Sequence, residues 1–287
     1  MESTAVARHN NAEQIDAQMT AHRREAKYLV TPDQARAVAA VVNRRLDSHR
    51  HRGEGANQLP AAQHYVTTIY FDTASRTLFR AAHESAEDHL KLRAKEYYDL
   101  HPGLTETATD PRQVVRYQPV LWLELKHRTA AYTGKRRIGI PKRDVPAFFA
   151  QGRITAGMIE IQEASYGHEA RKVLDAVAEL CATCAEPLGA DCLVNYRRSA
   201  WQDTEGNLRI TIDSGLAFFA PPPDLWERDW ALVRPTLGKP VASEARRVLE
   251  IKTHQEPPDW LIEVLRRNEI RALPFSKFEA ASSAVHG

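Results

Sequence analysis

Lysines, arginines and isolated carboxylates recur in this sequence at a spacing of two. Lys91, Arg93 and Lys95 alternate with Leu90, Leu92 and Ala94, and Glu124, Lys126 and Arg128 alternate with Leu123 and Leu125. Arg209, Thr211 and Asp213 alternate with Leu208, Ile210 and Ile212; Glu250 and Lys252 flank Ile251; Glu25 and Lys27 take the same step. In a β-strand, residues i, i+2 and i+4 share a face. Each segment therefore carries one charged face and one apolar face. A half-buried sheet with its polar face in water gives the same alternation. Residue choice argues for more than that, because these faces are rich in Lys and Arg, and in three of them a carboxylate stands two positions before a lysine. If such strands curl with the charged face inward, the lumen holds a cationic array. Like charges about 4 Å apart repel by about 4 kcal/mol at an effective dielectric of about 20, so the array calls for an anion. A polyphosphate chain offers charge and acceptor oxygens for forked hydrogen bonds. The few carboxylates suit a hard divalent cation, Mg²⁺ or Mn²⁺, shared with phosphate oxygens. These ingredients suggest phosphoryl chemistry.

The elements that must position these groups are mostly strands. A first strand around residues 24–30 precedes Thr31-Pro32-Asp33, an N-cap with proline at the first helical position, and apolar spacing at Val38, Val41 and Val42 extends that helix toward Leu46. Further strands are expected over 65–71, 89–98, 120–128, 135–140, 192–201, 208–213 and 247–252. Helices are expected over 145–151, 166–183 and 259–268, with a last one starting at Ser276. Residues 1–20 read as a mobile polar tail, 48–63 as a loop, and 101–119 and 220–241 as irregular insertions, the latter with Trp226 and Trp230. Nothing divides the chain after the tail. One mainly antiparallel α+β domain over 21–287 is the simplest organisation.

Composition narrows the class. The 287 residues carry 39 Lys+Arg against 37 Asp+Glu, a formal net charge of +2, which gives no bulk attraction to nucleic acid, membrane or an acidic partner. Function resting on charge must depend on where the charges sit, and the exterior is expected to be more acidic than the whole, through Glu84, Glu87, Asp88, Glu160, Glu163 and Glu169. No apolar run approaches the roughly 20 residues of a membrane span, and the polar start lacks a signal core. A cytoplasmic location is expected. Three cysteines are too few for a disulfide framework, and Cys181-Ala182-Thr183-Cys184 lacks the second pair that structural zinc needs. No glycine-rich phosphate loop or nucleophile elbow is present.

Nine stretches, in order, resemble the VTC (vacuolar transporter chaperone) polyphosphate polymerase domain of the triphosphate tunnel metalloenzyme superfamily. They are 24–28 (REAKY), 70–73 (YFDT), 91–97 (KLRAKEY), 123–126 (LELK), 135–137 (KRR), 195–198 (NYRR), 208–213 (LRITID), 249–252 (LEIK) and 275–278 (FSKF). The resemblance implies a closed antiparallel β-barrel of about eight strands, the triphosphate tunnel, with helices packed outside. It implies Lys27, Arg93, Lys126, Arg209 and Lys252 as catalytic cations, with Lys91, Lys95, Lys135, Arg137, Arg197 and Lys277 as further phosphate-binding groups. Glu250 is the first expected ligand of Mn²⁺ or Mg²⁺, with Glu25 and Glu124 next. The implied reaction is transfer of the γ-phosphoryl of ATP to a polyphosphate chain. Hydrolysis of inorganic triphosphate or nucleoside triphosphates is the alternative within the superfamily. Lys95 stands where an arginine is common, and Leu273-Pro274 where a further basic residue is expected. The opening has Glu25 beside Ala26 instead of two glutamates, which favours the polymerase-like branch. The chain also looks like a free-standing catalytic unit with no membrane segment of its own, so a membrane partner that takes up product would be a separate protein. Oligomeric state is left open.

Two rival readings differ in class. A non-catalytic polyphosphate-binding module would bind anions without turnover. A nucleic-acid binder would use Trp226, Trp230 and Tyr97 as stacking platforms, but these aromatics do not interleave with the basic faces, so no nucleic-acid partner is expected.

Overall fold

The computed structural model describes residues 24–49, 63–85, 89–98, 119–128, 133–165, 168–229 and 231–287. The expected tail, most of the 48–63 loop, most of the 101–119 insertion and Trp230 lie outside the described residues. Ten strands are described: β1 Arg24–Val30, β2 Asp47–Ser48, β3 Gln63–Asp72, β4 His89–Tyr98, β5 Val120–Arg128, β6 Thr133–Pro141, β7 Gly189–Gln202, β8 Leu208–Phe219, β9 Ala242–Glu244 and β10 Arg247–Thr253. The described helices are α1 Pro32–Val42, α2 Thr77–Glu84, α3 Val145–Gln151, α4 Ala156–Ser165, α5 His168–Thr183, α6 Asp259–Arg267 and α7 Lys277–His286.

Eight strands form one antiparallel path, β1-β10-β8-β7-β3-β4-β5-β6, with β2 on β7 and β9 on β8. The apolar positions of the alternation all turn to one side. On β4 to β6, Leu92, Ala94, Leu121, Leu123, Leu125, Ile138 and Ile140 form an outer core with Phe148, Phe149, Met158, Leu174 and Val177 of α3 to α5. On β8 and β10, Ile210, Ile212, Leu249 and Ile251 pack with Val38 and Val42 of α1 and Leu261 and Val264 of α6. Each such side chain withdrawn from water contributes about 1.5–3 kcal/mol. That burial fixes which way the charged faces turn.

They turn inward, toward one another. Glu25 of β1 lies 3.9 Å from Lys126 of β5, although five strands separate these two along the path. Among the described residues no backbone ladder joins β6 to β1, and closure is made by side chains crossing the lumen. The outer edge of β1 is met by the segment leading to α7, where Leu273 N donates to Lys27 O at 3.1 Å. Leu273-Pro274 thus serves the barrel wall through its backbone.

Local signals explain the element ends. Thr31 and Gln34 form a reciprocal capping box, at 2.9 and 3.2 Å, with Pro32 opening α1. Gly152, at φ 63°, ends α3 in the left-handed conformation that costs glycine least. Two helices carry no conventional start in the sequence. The first turn of α2 is held by Asp72, at the end of β3, whose carboxylate accepts from Leu78 N and Phe79 N at 2.8 and 2.7 Å. In α4, Thr155 Oγ1 accepts from Met158 N and donates to Asp144 Oδ2.

The helices flank the barrel except at one point. The first turn of α7 enters it: Phe278 stacks on Tyr70 at 5.0 Å and, with Ala281, joins Val66, Cys192, Val194, Leu216 and Val248 in an inner apolar core. The lumen is therefore graded along its length, charged in one part and apolar around α7.

Candidate functional site

Three carboxylate-centred groups make up the charged part of the lumen. Glu124, 1% exposed, is the middle of the first. Arg93 and Lys95 from β4 approach one oxygen at 2.8 and 3.1 Å, and Lys135 and Arg137 from β6 approach the other at 3.6 and 3.7 Å. The β4-β5-β6 register places Arg93, Glu124 and Arg137 in one row, which is why two-residue spacing on three strands converges. Burial pushes the Glu124 carboxyl up, but the four cations outweigh it and hold the group well below the usual carboxylate range. Burial, with Arg93 nearby, pushes the Lys95 ammonium well down against the pull of Glu124.

The second group joins the two ends of the strand path. On β1 and β10, Glu25 opposes Lys252 and Lys27 opposes Glu250. Lys27 is 3.0 Å from Glu25, and Lys252 is 2.5 Å from Glu250. Lys126 arrives from β5. Burial and the neighbouring Glu250 push Glu25 up, yet Lys252, Lys27 and Lys126 together bring it down to about 2. Burial lowers Lys126 to about 8, helped by Lys27, Arg93 and Lys252 and opposed by Glu25. Thr211 sits opposite Glu250 in the β8–β10 ladder, with a buried hydroxyl that has no hydrogen-bond partner among the described residues.

The third group ties α7 to the wall. Asp213, fully buried, accepts a forked pair from Arg198 at 2.6 and 2.7 Å, and Lys277 at the start of α7 shares its Oδ2 at 2.6 Å. Lys91 of β4 donates to Ser276 and Glu279 in the same helix end, at 3.1 and 2.9 Å. Arg209 shares the inner face of β8 and donates to Gln202 at 2.8 Å.

Of the residues singled out from sequence, Lys27, Lys91, Arg93, Lys95, Lys126, Lys135, Arg137, Arg209, Lys252 and Lys277, with Glu25, Glu124 and Glu250, are on the lumen side. Arg197 is not. Adjacent strand residues face opposite ways, and on β7 the lumen position belongs to Arg198, paired in register with Asp213. Arg197 lies on the outer face, with Nε 3.4 Å from Ser214 Oγ. The signal for Arg198 was present in Asp213, whose partner across the ladder had to be an inner residue. Arg198 and Tyr70 are lumen groups that spacing within single strands passed over, whereas Thr211 and Asp213 fell on the charged face of β8 by spacing but were given no role.

Glu96, next to Lys95, belongs to the outer side, in a buried ion pair with Lys142 at 3.0 Å. Trp226 packs on Phe71 in the outer core at 6.1 Å, and Tyr97 lies under the Arg137 guanidinium, so neither is a stacking platform on the surface. Cys181 and Cys184 are free thiols, and among the described residues no group of three or more His, Cys, Asp or Glu is placed to hold a metal by itself. No described helix is long and apolar enough to cross a membrane.

The eight strands of the path thus enclose a cation-rich inner face in an antiparallel barrel. Residues 22–286 match the VTC domain family, and the chain belongs to it. Among solved structures, it is similar to a putative adenylate cyclase from Bacillus halodurans, with 12% identity and a TM-score of 0.46, covering 89% of this chain and 96% of that one. A putative adenylyl cyclase from Hippeastrum, described as having a dominant triphosphatase activity, shares 15% identity at a TM-score of 0.46 over 90% of this chain and 94% of its own. No curated protein matches the chain.

Proposed function

We propose that the chain is a metal-dependent phosphotransferase that moves the γ-phosphoryl of ATP onto a polyphosphate chain inside the lumen. Family membership supports chemistry on triphosphates, and the observation that carries the finer reading is the inward convergence of Lys27, Arg93, Lys126, Arg198 and Lys252 around a small number of carboxylates. In the transfer, a terminal oxygen of the acceptor phosphate attacks the γ-phosphorus, the bond to the β–γ bridging oxygen breaks, and ADP leaves. Lys and Arg hold both chains in line and offset charge as it spreads over the transferring group. Arg93, fixed by Glu124, is oriented before substrate arrives. Such preorganised charge needs no rearrangement at the moment of reaction.

The donor set fits a hard divalent cation on one side only. Glu250 and Glu25 are ionised and close enough to affect each other, and the Thr211 hydroxyl, without a hydrogen-bond partner among the described residues, belongs to the residue opposite Glu250; one or two carboxylates plus phosphate oxygens suffice for Mg²⁺ or Mn²⁺. Glu124 suits that role less: four cations surround it and its side chain is 1% exposed, against 25% for Glu25, so it serves to anchor them. A cation held by Glu250 and Glu25 would neutralise charge on the phosphate oxygens it shares. The test is incubation of the full chain with ATP and Mn²⁺, followed by a gel stained for polyphosphate. Long chains are expected; free phosphate alone would assign the site to hydrolysis, and no turnover would leave a binding module.

A further inference from the structure

The outer face of the barrel carries a second concentration of positive charge, which the lumen does not use. At Gly215, φ 61°, β8 slips by one residue against β7: Asn195 pairs with Ala217, but Arg197 pairs with Ser214. Ser214 faces outward there, with Arg197 beside it on β7. One position beyond the Asp213–Val248 pair, Arg247 of β10 stands on its other side. Two strand spacings, about 10 Å, separate the backbones of Arg197 and Arg247, so their guanidiniums can meet over Ser214. Arg36 approaches from α1, and Arg234 reaches the slip from the other side, donating to Gly215 O and to Asn195 Oδ1.

Little opposes this charge. Asp33 is the carboxylate that faces Arg247, and it is already paired with Arg36. Among the described residues neither Arg197 nor Arg247 takes part in an ion pair, and both are only partly exposed. Burial, then Arg197 and Arg36, push the Arg247 guanidinium below its ordinary value.

We propose that Arg197, Arg247 and Arg36, with the Ser214 hydroxyl, form an anion site on the outer face of the barrel that takes a phosphoryl group, either orthophosphate or the end of a short oligophosphate. Guanidiniums match phosphoryl oxygens with forked N–H pairs, and the hydroxyl adds a donor. The site is independent of turnover in the lumen, and its wall, β8, is the strand that carries Asp213 inside.

Calorimetric titration of the full chain without divalent metal tests this, using tripolyphosphate in one arm and orthophosphate in the other. Two classes of tripolyphosphate site are expected. Arg197→Gln with Arg247→Gln should weaken one class by roughly tenfold or more, and Lys126→Gln the other. Orthophosphate binding lost in the outer variant would identify a single phosphoryl as sufficient; an outer class seen with tripolyphosphate alone would identify an oligophosphate. Without anion the outer variant should melt no lower than wild type, since repulsion is removed, and Arg247→Gln alone serves if the double variant does not fold. One class of site abolished by Lys126→Gln, or isotherms unchanged by the outer substitutions, would overturn the proposal.

Discussion

Replacing Glu124 with glutamine keeps the shape of the side chain and removes the one charge that four cations share. Arg93, Lys95, Lys135 and Arg137 would then face one another with no carboxylate between them. Removing one partner of a buried ion pair costs about 3–5 kcal/mol. Exposure discounts the sum: Lys95 is 7% exposed, but Lys135 is 34% exposed and well screened by water. The lower end, about 3 kcal/mol, is expected, which at a urea slope of about 2–3 kcal/mol/M moves the midpoint down by about 1 M or slightly more. Urea unfolding at pH 7, followed by tryptophan fluorescence, reads this directly. Tripolyphosphate supplies the missing negative charge, so it should bind the variant more tightly than wild type. At about a hundred times its Kd it returns about 2.7 kcal/mol. A Glu124→Gln protein that unfolds at the wild-type urea concentration and binds tripolyphosphate no more tightly would refute the reasoning that Glu124 holds this array in place.

Other consequences concern protons and the proposed metal. Lys126 titrates near 8 in the folded chain against an ordinary 10.5, so the unfolded chain holds more protons between those values and stability should rise with pH across that window. Urea midpoints should show that rise in wild type and lose it in Lys126→Gln, while tripolyphosphate binding to wild type weakens above about pH 8. Asp213 is depressed to about 2, because Arg198 and Lys277 outweigh its burial. Its stabilisation is present above the unfolded pKa and lost as pH falls toward 2; Asp213→Asn should be about 3 kcal/mol less stable at pH 7 and show a shallower acid transition by circular dichroism. Glu250→Gln should lower Mn²⁺-dependent turnover by about a hundredfold or more with metal-free tripolyphosphate binding kept, and equal losses of both would count against a metal role for Glu250.

The strand alternation made most of this arrangement readable before any coordinates. Residues at two-step spacing on β4, β5, β8 and β10 share faces whatever the tertiary structure, and the Leu and Ile rows opposite them had to find helices. Register between strands was beyond that ruler. It decides that Arg198 and not Arg197 enters the lumen, and that Glu124 meets four cations. The glycine slip at Gly215 is also invisible to alternation, since it changes the parity of β8 so that Asp213 and Leu216 share the inner side. Helix α2 escaped because its first turn is capped by Asp72 from a preceding strand, and the entry of α7 into the barrel depends on contacts from β4 and β8. The expected acidic exterior is met at exposed Glu84 and Glu160; Glu87 and Asp88 and the side chains of Glu163 and Glu169 lie outside the described residues, and the outer arginines run against it locally.

The most direct measurement is a crystal structure of the full chain with Mn²⁺ and a non-hydrolysable ATP analogue. The triphosphate should lie in the lumen, its oxygens within hydrogen-bond reach of Lys27, Arg93, Lys126 and Lys252, with the cation between them and Glu250. A lumen free of triphosphate, with the analogue bound only on the outer surface, would contradict a phosphoryl-transfer role for this barrel.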